Sequence, residues 1–238
     1  PVTDITAGIL GAMGVLAAYT NRLKTGLGQK VDTSLYEAGI VHTYWQSAIC
    51  FATGRSPGPM GSAHPLNAPY QAYPTADGWI TIGAANQSNW TRLLDVLERP
   101  DIGIDPRFAD NTARMENLSE LEQVLSQIFR QKKSSDWLTR LDQAGVPAGP
   151  VRSVGEVHAD EQAKAREMVV DTQHPVAGAV TTIGLPVKFS ATPGGVTAPA
   201  PLYGQHTRAV LQTLGYKEAE IGKMAGDRSI VLGDPDRN

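Results

Sequence analysis

Residues 5–24, ITAGILGAMGVLAAYTNRLK, constrain the fold more than any other stretch of the chain. Ala7, Gly11, Gly14 and Ala18 recur at helical spacing on one face. A glycine inside a helix costs roughly 1 kcal/mol relative to alanine, so a helix with several predicts a neighbour packed very close to that face. The segment TGLGQ ends the helix, with Gly26 and Gly28 as breakers. Asp4 stands just ahead of it. Aspartate there is a favoured N-cap, and the same helix terminus favours an ionised carboxylate, which is the form an acyl-transfer nucleophile requires. The apolar run carries Asp4 and Thr6, lacks a basic leader, and is read as too short for a bilayer, which needs about 20 apolar residues; neither signal nor span is expected.

Further along, KVDTSL (residues 30–35) is a short strand candidate. SLYE is a capping-box pattern, Ser34 with Glu37, opening a helix expected to run to about Gly54. Prolines and glycines crowd GRSPGPMGSAHPLNAPYQAYP, an irregular connection long enough to be functional. YQAYPTADGWITIGA predicts a hairpin turning at PTADG. Helices follow at about 88–97, 119–130 and 135–144, with Asn86 or Ser88 capping the first. Trp79 and Trp90 are expected in the core. MVVDTQHPVAGAVTTIG predicts a second hairpin turning at residues 175–178, and HTRAVLQTLG and KEAEIGKMA predict two short helices. The final GDPDRN is expected to fray.

The 238-residue chain allows one large domain or two modest ones. A net charge of −3 gives no general attraction to nucleic acid or anionic membrane. Cys50 is the sole cysteine, so no internal disulfide and no thiolate zinc cluster can form; this fits a reducing compartment. The sequence contains no G-x-x-x-x-G-K-[ST] loop, no G-x-G-x-x-G after a strand and no G-x-S-x-G elbow, and its five histidines show no metal-ligand spacing. His64 and Asn67 read as ordinary loop polarity, or as part of a functional loop. In GAANQSNW, Gly83, Ala84, Ala85 and Asn86 read as a strand-to-helix turn, or as small residues whose N–H groups face a ligand oxygen.

The order of these segments is more specific than any one of them. D-x-x-x-G-x-x-x-A-x-x-x-L from Asp4, then KTGLGQKVDTSLYEAG, GSAHPLNAPYQAYPTADGWITIGAANQSNW, AGVPAGPV, HPVAGAVTTIGLPVKFS and LYGQHTRAVLQTLG together resemble the class III coenzyme A transferases. That family includes formyl-CoA, carnitine-CoA and dicarboxylate CoA transferases and the α-methylacyl-CoA racemases. The resemblance runs from Asp4 to about Leu214. It implies an α/β fold: an incomplete large CoA-binding α/β domain in residues 1–56, a smaller α+β domain in residues 57–150, and residues 151–238 as linker and return to the large domain. It also implies two protomers interlocked as rings.

In that family the aspartate ahead of the small-residue helix is the catalytic carboxylate, here Asp4. The resemblance implies that Asp4 attacks an acyl-CoA thioester to give an anhydride and CoA thiolate. The thiolate then forms an aspartyl-CoA thioester and releases the donor acid, and an acceptor carboxylate takes the CoA by the reverse steps. Coenzyme A is thus a substrate, with acyl-CoA and a small carboxylic acid as partners and no metal, nucleic acid or membrane. Backbone N–H groups of Gly83, Ala84, Ala85 and Asn86, and those present in the loop Gly61, Ser62, Ala63, His64, Pro65, Leu66 and Asn67 (Pro65 itself has none), are the candidate oxyanion donors. That loop corresponds to the family's mobile lid. His64, Pro65 and Leu66 make it bulkier and stiffer than the glycine tract of formyl-CoA transferases, which points away from formate and oxalate, and GSAHPLNAPYQAY resembles more the glutarate-type dicarboxylate transferases. The location implied is cytoplasmic, or the mitochondrial matrix in a eukaryote.

The chain starts at Pro1 rather than Met and is expected to be part of something longer, without the N-terminal half that holds CoA in the family. Two other readings stand beside CoA transfer. One is a 2-methylacyl-CoA racemase, using an acid and a base at the α-carbon. The other is a non-catalytic fragment that requires an N-terminal partner.

Overall fold

A computed structural model describes residues 1–233; the expectation of a frayed terminus falls on residues 234–238, outside the described residues. The chain divides into two compact units, Pro1–Val151 and Arg152–Asn238.

The first unit opens with α1 (Val2–Thr25), closed by Gly26 in the left-handed conformation. The helix begins earlier than residue 5, and Pro1 holds the N-cap position, so Asp4 lies in the first turn and is not the cap. At 24 residues, about 36 Å at 1.5 Å per residue, α1 is long and apolar enough to cross a bilayer. The expectation that it is too short is therefore corrected. Its small-residue face does meet a close neighbour: a Cβ on Gly14 would come within 2.7 Å of Val31 Cγ1, and one on Gly11 within 3.9 Å of Thr33. The neighbour is the chain's own return segment. Residues 30–34 form no strand; Val31 and Thr33 pass against α1 with no strand partner.

Ser34 caps α2 (Leu35–His42) by accepting from Glu37 N–H and donating to its carboxylate. The single helix expected to residue 54 is broken at Thr43, whose hydroxyl donates to Ile40 O. A second helix, α3 (Tyr44–Thr53), ends at left-handed Gly54. After the Pro/Gly connection come β1 (Tyr70–Pro74) and β2 (Trp79–Gly83), antiparallel, with Tyr70 opposite Gly83 and Pro74 opposite Trp79. Along β2, Ile80 and Ile82 point inward. That register turns Trp79 outward, 51% exposed, so Trp79 is not a core residue.

Helices α4 (Gln87–Leu97), α5 (Pro100–Ile104), α6 (Asn111–Glu116), α7 (Leu118–Phe129) and α8 (Ser134–Gln143) follow; α5 and α6 lie where the sequence shows no strong period. The segment AGP in GVPAGPV forms β3 (Ala148–Pro150), which joins the far edge of β2 to complete a sheet of order β1-β2-β3. The core is Tyr73, Ile80 and Ile82 of this sheet packed with Trp90 and Leu93 of α4, Leu121, Leu125 and Phe129 of α7, and Trp137 and Leu141 of α8.

The second unit contains α9 (Val154–Ala159), which starts with a Ser153–Glu156 capping box, and α10 (Glu161–Ala165). The hairpin of β4 (Val169–His174) and β5 (Gly178–Ile183) comes next, its turn held by His174 Nδ1 accepting from Val176 and Ala177 N–H. It ends in α11 (Thr207–Thr213) and α12 (Glu218–Gly226).

Candidate active site

Asp4 is the third residue of α1, exposed, at the positive end of the helix. Its recorded polar contact is Thr3 Oγ1, donating to Oδ2 at 3.4 Å. A carboxylate held in this way can be reached by a reagent. One side of its turn is built by α2. Gly39 brings that helix against Thr3, where a Cβ would sit 3.5 Å from the threonine methyl, and His42 Nε2 lies 2.8 Å from Thr6 Oγ1.

The chain then leads from α2 toward the expected lid. Trp45, at the start of α3, meets the edge of His64 with ring centroids 5.7 Å apart, and His64 stacks on Tyr70 at 5.1 Å and 7°. His64 also organises its own loop. Its Nδ1 accepts from Leu66 N–H at 3.1 Å and lies 3.3 Å from Asn67 Nδ2, and its N–H donates to Tyr70 O. Ser62 Oγ accepts from Ala72 N–H. Residues 61–67 are thus a fastened loop, with one imidazole as the central fastener.

The N–H groups considered as oxyanion donors are not equally free. Gly83 N–H donates to Pro147 O at 2.8 Å and Ala84 N–H to Pro69 O at 3.0 Å, so these two are committed to the sheet and the loop foot. Ala63 N–H is committed to Met60 O, and His64 and Leu66 N–H are committed as described above. Asn86 caps α4, its Oδ1 accepting from Asn89 N–H at 2.8 Å. Among the described residues, Ala85 and Asn86 retain N–H groups with no hydrogen-bond partner, at the start of an eleven-residue helix, and so do Gly61, Ser62 and Asn67 in the loop. The donor assignment therefore narrows from Gly83–Asn86 to Ala85 and Asn86.

Asn111 and Arg114 of α6 carry no motif and were not anticipated. Asn111 Nδ2 donates to Leu66 O at 2.9 Å, and its Oδ1 accepts from Ala68 N–H at 3.1 Å. Arg114, fully buried, donates from Nε to Ala68 O at 2.6 Å and from Nη1 to Gln87 Oε1 and Phe108 O, both at 3.2 Å. Burial lowers its pKa, with nearby Asp110 opposing. Nothing in the sequence DNTARMEN marks these contacts, because every partner but Phe108 lies more than 25 residues away in the chain.

A cavity of about 500 Å³ is lined by Ile49, Thr53, Arg55, Ser56, Pro57, Met60 and Pro65. It touches the loop through Pro65, and its walls include neither Asp4 nor residues 83–86. Among the described residues no group of three or more His, Cys, Asp or Glu could hold a metal ion.

A family model described as CoA-transferase family III matches residues 1–207. The succinyl-CoA:glutarate CoA-transferase of Mus musculus is 30% identical over 224 residues, 94% of this chain and 51% of its own length. The succinate–glutarate CoA-transferase of Agrobacterium fabrum is 32% identical over 213 residues, 90% of this chain and 53% of its own length. The crystal structure of a CAIB/BAIF family protein from Brucella suis superimposes with a TM-score of 0.75 and 34% identity, over 89% of this chain and 55% of that one. The chain spans about half the length of the curated relatives it matches. Its mixed α/β fold, the order of its segments and the match across residues 1–207 agree: the chain belongs to CoA-transferase family III.

Proposed function

We propose that this chain is the nucleophile-bearing part of an acyl-CoA:carboxylate CoA-transferase, with Asp4 forming the anhydride and then the thioester with CoA. The observation that carries the reading is the exposed Asp4 carboxylate in the first turn of α1, inside the region that matches the family. Each step exchanges one acyl bond for another, so accessibility and oxyanion donors are the main requirements on the protein. Ala85 and Asn86 are the donors the fold leaves open at the start of α4, and residues 61–67, where Gly61, Ser62 and Asn67 N–H are also open, are the lid.

Dicarboxylates are the proposed substrates. Two relatives are named for succinate or succinyl-CoA together with glutarate, and both align over at least nine-tenths of this chain. Residues 1–56 are proposed as part of the large domain and residues 57–150 as the small one. The assembly is proposed as an interlocked dimer, or a complex with an N-terminal half that supplies most of the CoA site.

The test uses the full-length polypeptide incubated with succinyl-CoA, followed by mass spectrometry of the Asp4 peptide. A CoA adduct on Asp4 is expected. Asp4→Ala is expected to lose the adduct and to lower transfer by at least about a thousandfold, as removal of a covalent nucleophile does. Full transfer activity in Asp4→Ala with no adduct in the parent overturns the proposal. Deuterium exchange at the α-carbon of a 2-methylacyl-CoA, without any acceptor acid, would support the racemase reading instead.

A further inference from the structure

We propose that Asn111 and Arg114 are positioning residues: they fasten the foot of loop 61–67 and the first residue of α4 to one platform, and so decide whether an acid or water reaches the intermediate on Asp4. This rests on the function proposed above.

The geometry is specific. The Asn111 amide pinches two backbone groups two residues apart, donating to Leu66 O at 2.9 Å and accepting from Ala68 N–H at 3.1 Å. Arg114 Nε takes a third polar group of that foot, Ala68 O, at 2.6 Å. Its Nη1 reaches Gln87, the first residue of α4 and the next residue after the open N–H groups of Ala85 and Asn86. Gln87 is held from its other side, donating from Nε2 to Ala109 O at 2.9 Å. The two tracts proposed to act on Asp4 chemistry, the lid and the α4 start, thus meet on two side chains of one short helix.

Arg114 is an expensive way to fill that space. It is fully buried, sits 4.9 Å over the Trp90 ring, and has no carboxylate ion-pair partner among the described residues. An apolar residue of similar volume would avoid the desolvation cost of a buried charge. What arginine adds is a planar fork that spans the loop foot and α4 at once.

The consequence concerns water. A thioester between Asp4 and CoA is open to attack by water as well as by a carboxylate. In the side reaction a water oxygen bonds to the aspartyl carbonyl carbon and the C–S bond breaks. CoA leaves as thiolate and takes up one of the two protons that water gives up; the other passes to solvent, and the Asp4 carboxylate is restored. A lid that is held in place excludes that water. A loosened foot lets the loop shift, and a displacement of about 1 Å is enough to cost orders of magnitude in a positioned reaction.

The experiment compares the full-length polypeptide with Asn111→Ala and Arg114→Lys variants. It measures CoA released by hydrolysis per CoA transferred, using succinyl-CoA with glutarate. This ratio does not change when a variant merely folds less well, because both fluxes scale with active enzyme. Both variants are expected to raise the ratio by about tenfold or more. Arg114→Lys keeps the charge but cannot bridge the two tracts; if it fails to fold, half-buried Asn111→Ala decides alone. Ratios equal to the parent's, in variants whose melting temperature has fallen, reduce the platform to a structural role and overturn the proposal. The parent's own Asp4 adduct is measured first. If it is absent, the proposed function fails and takes this inference with it; if it is present with unchanged ratios, only this inference fails.

Discussion

His64 shows how one side chain holds a loop by two kinds of contact. Its ring stacks on Tyr70 and meets Trp45, while its Nδ1 accepts from Leu66 N–H. An aromatic pair and a hydrogen bond each contribute about 0.5–1.5 kcal/mol, so neither dominates. The two separate by mutation. His64→Phe keeps an aromatic face and removes the acceptor, so amide hydrogen exchange is expected to quicken at Leu66 and little elsewhere. His64→Ala removes both and is expected to quicken exchange across residues 61–67. Equal protection of Leu66 in the parent and His64→Phe would show that the Nδ1 bond contributes nothing. The histidine was visible in the sequence as a loop residue; its ring partners were not, since stacking depends on where β1 and α3 bring Tyr70 and Trp45.

At the scale of elements, α1 gives a test with opposite signs. A Cβ on Gly14 would meet Val31 Cγ1 at 2.7 Å, whereas one on Gly8 meets nothing within 4 Å. Gly8→Ala is expected to stabilise this chain by up to about 1 kcal/mol through helix propensity. Gly14→Ala is expected to destabilise it, because β-branched Val31 has little freedom to give way. Urea denaturation of the two variants checks the pair. A second element-level test lies at the β1–β2 turn, where Asp77 Oδ1 accepts from the N–H of Ser134, the first residue of α8, at 2.8 Å. That bond, helped by the Ser134 and Thr75 hydroxyls, holds the carboxyl below its ordinary value of 3.8. A depressed folded value means stability that is fully present above pH 3.8 and lost as pH falls through the lower folded value. The melting temperature of Asp77→Asn is therefore expected to lie below the parent's at neutral pH, with the gap closing in acid below pH 3.8. A gap independent of pH would remove the carboxylate from the account.

Across the whole molecule, large buried side chains are unevenly distributed along the first unit. They lie between Tyr73 and Val146, whereas α1–α3 contribute only Ala18 and Ala38 to the buried apolar set. Leu125→Ala, at a fully buried site, is expected to cost about 2–5 kcal/mol. Phe51→Ala, at a site 87% exposed, is expected to change stability by less than about 0.5 kcal/mol. Equal losses measured by chemical denaturation would mean that Phe51 is buried in solution. Large apolar residues on α1–α3, among them Ile5, Ile9, Met13, Leu16, Tyr36 and Phe51, remain exposed in the chain taken alone.

The sequence by itself determined what depends on neighbours along the chain. The Ser34 cap, the PTADG hairpin, the apolar stripe of α7 and the stop at Gly26 are local patterns, and they formed where the local chemistry put them. The order of segments carried the family. Only the tertiary structure decided what depends on distant partners. It left residues 30–34 unpaired across α1, turned Trp79 outward by register and committed the Gly83 and Ala84 N–H groups to Pro147 and Pro69. It also joined Asn111 and Arg114 to a loop more than 40 residues away. The physical reason is the same in each case. Propensity and capping act over a few residues, but a hydrogen-bonding group or a ring takes whichever partner the folded chain brings within about 3–6 Å.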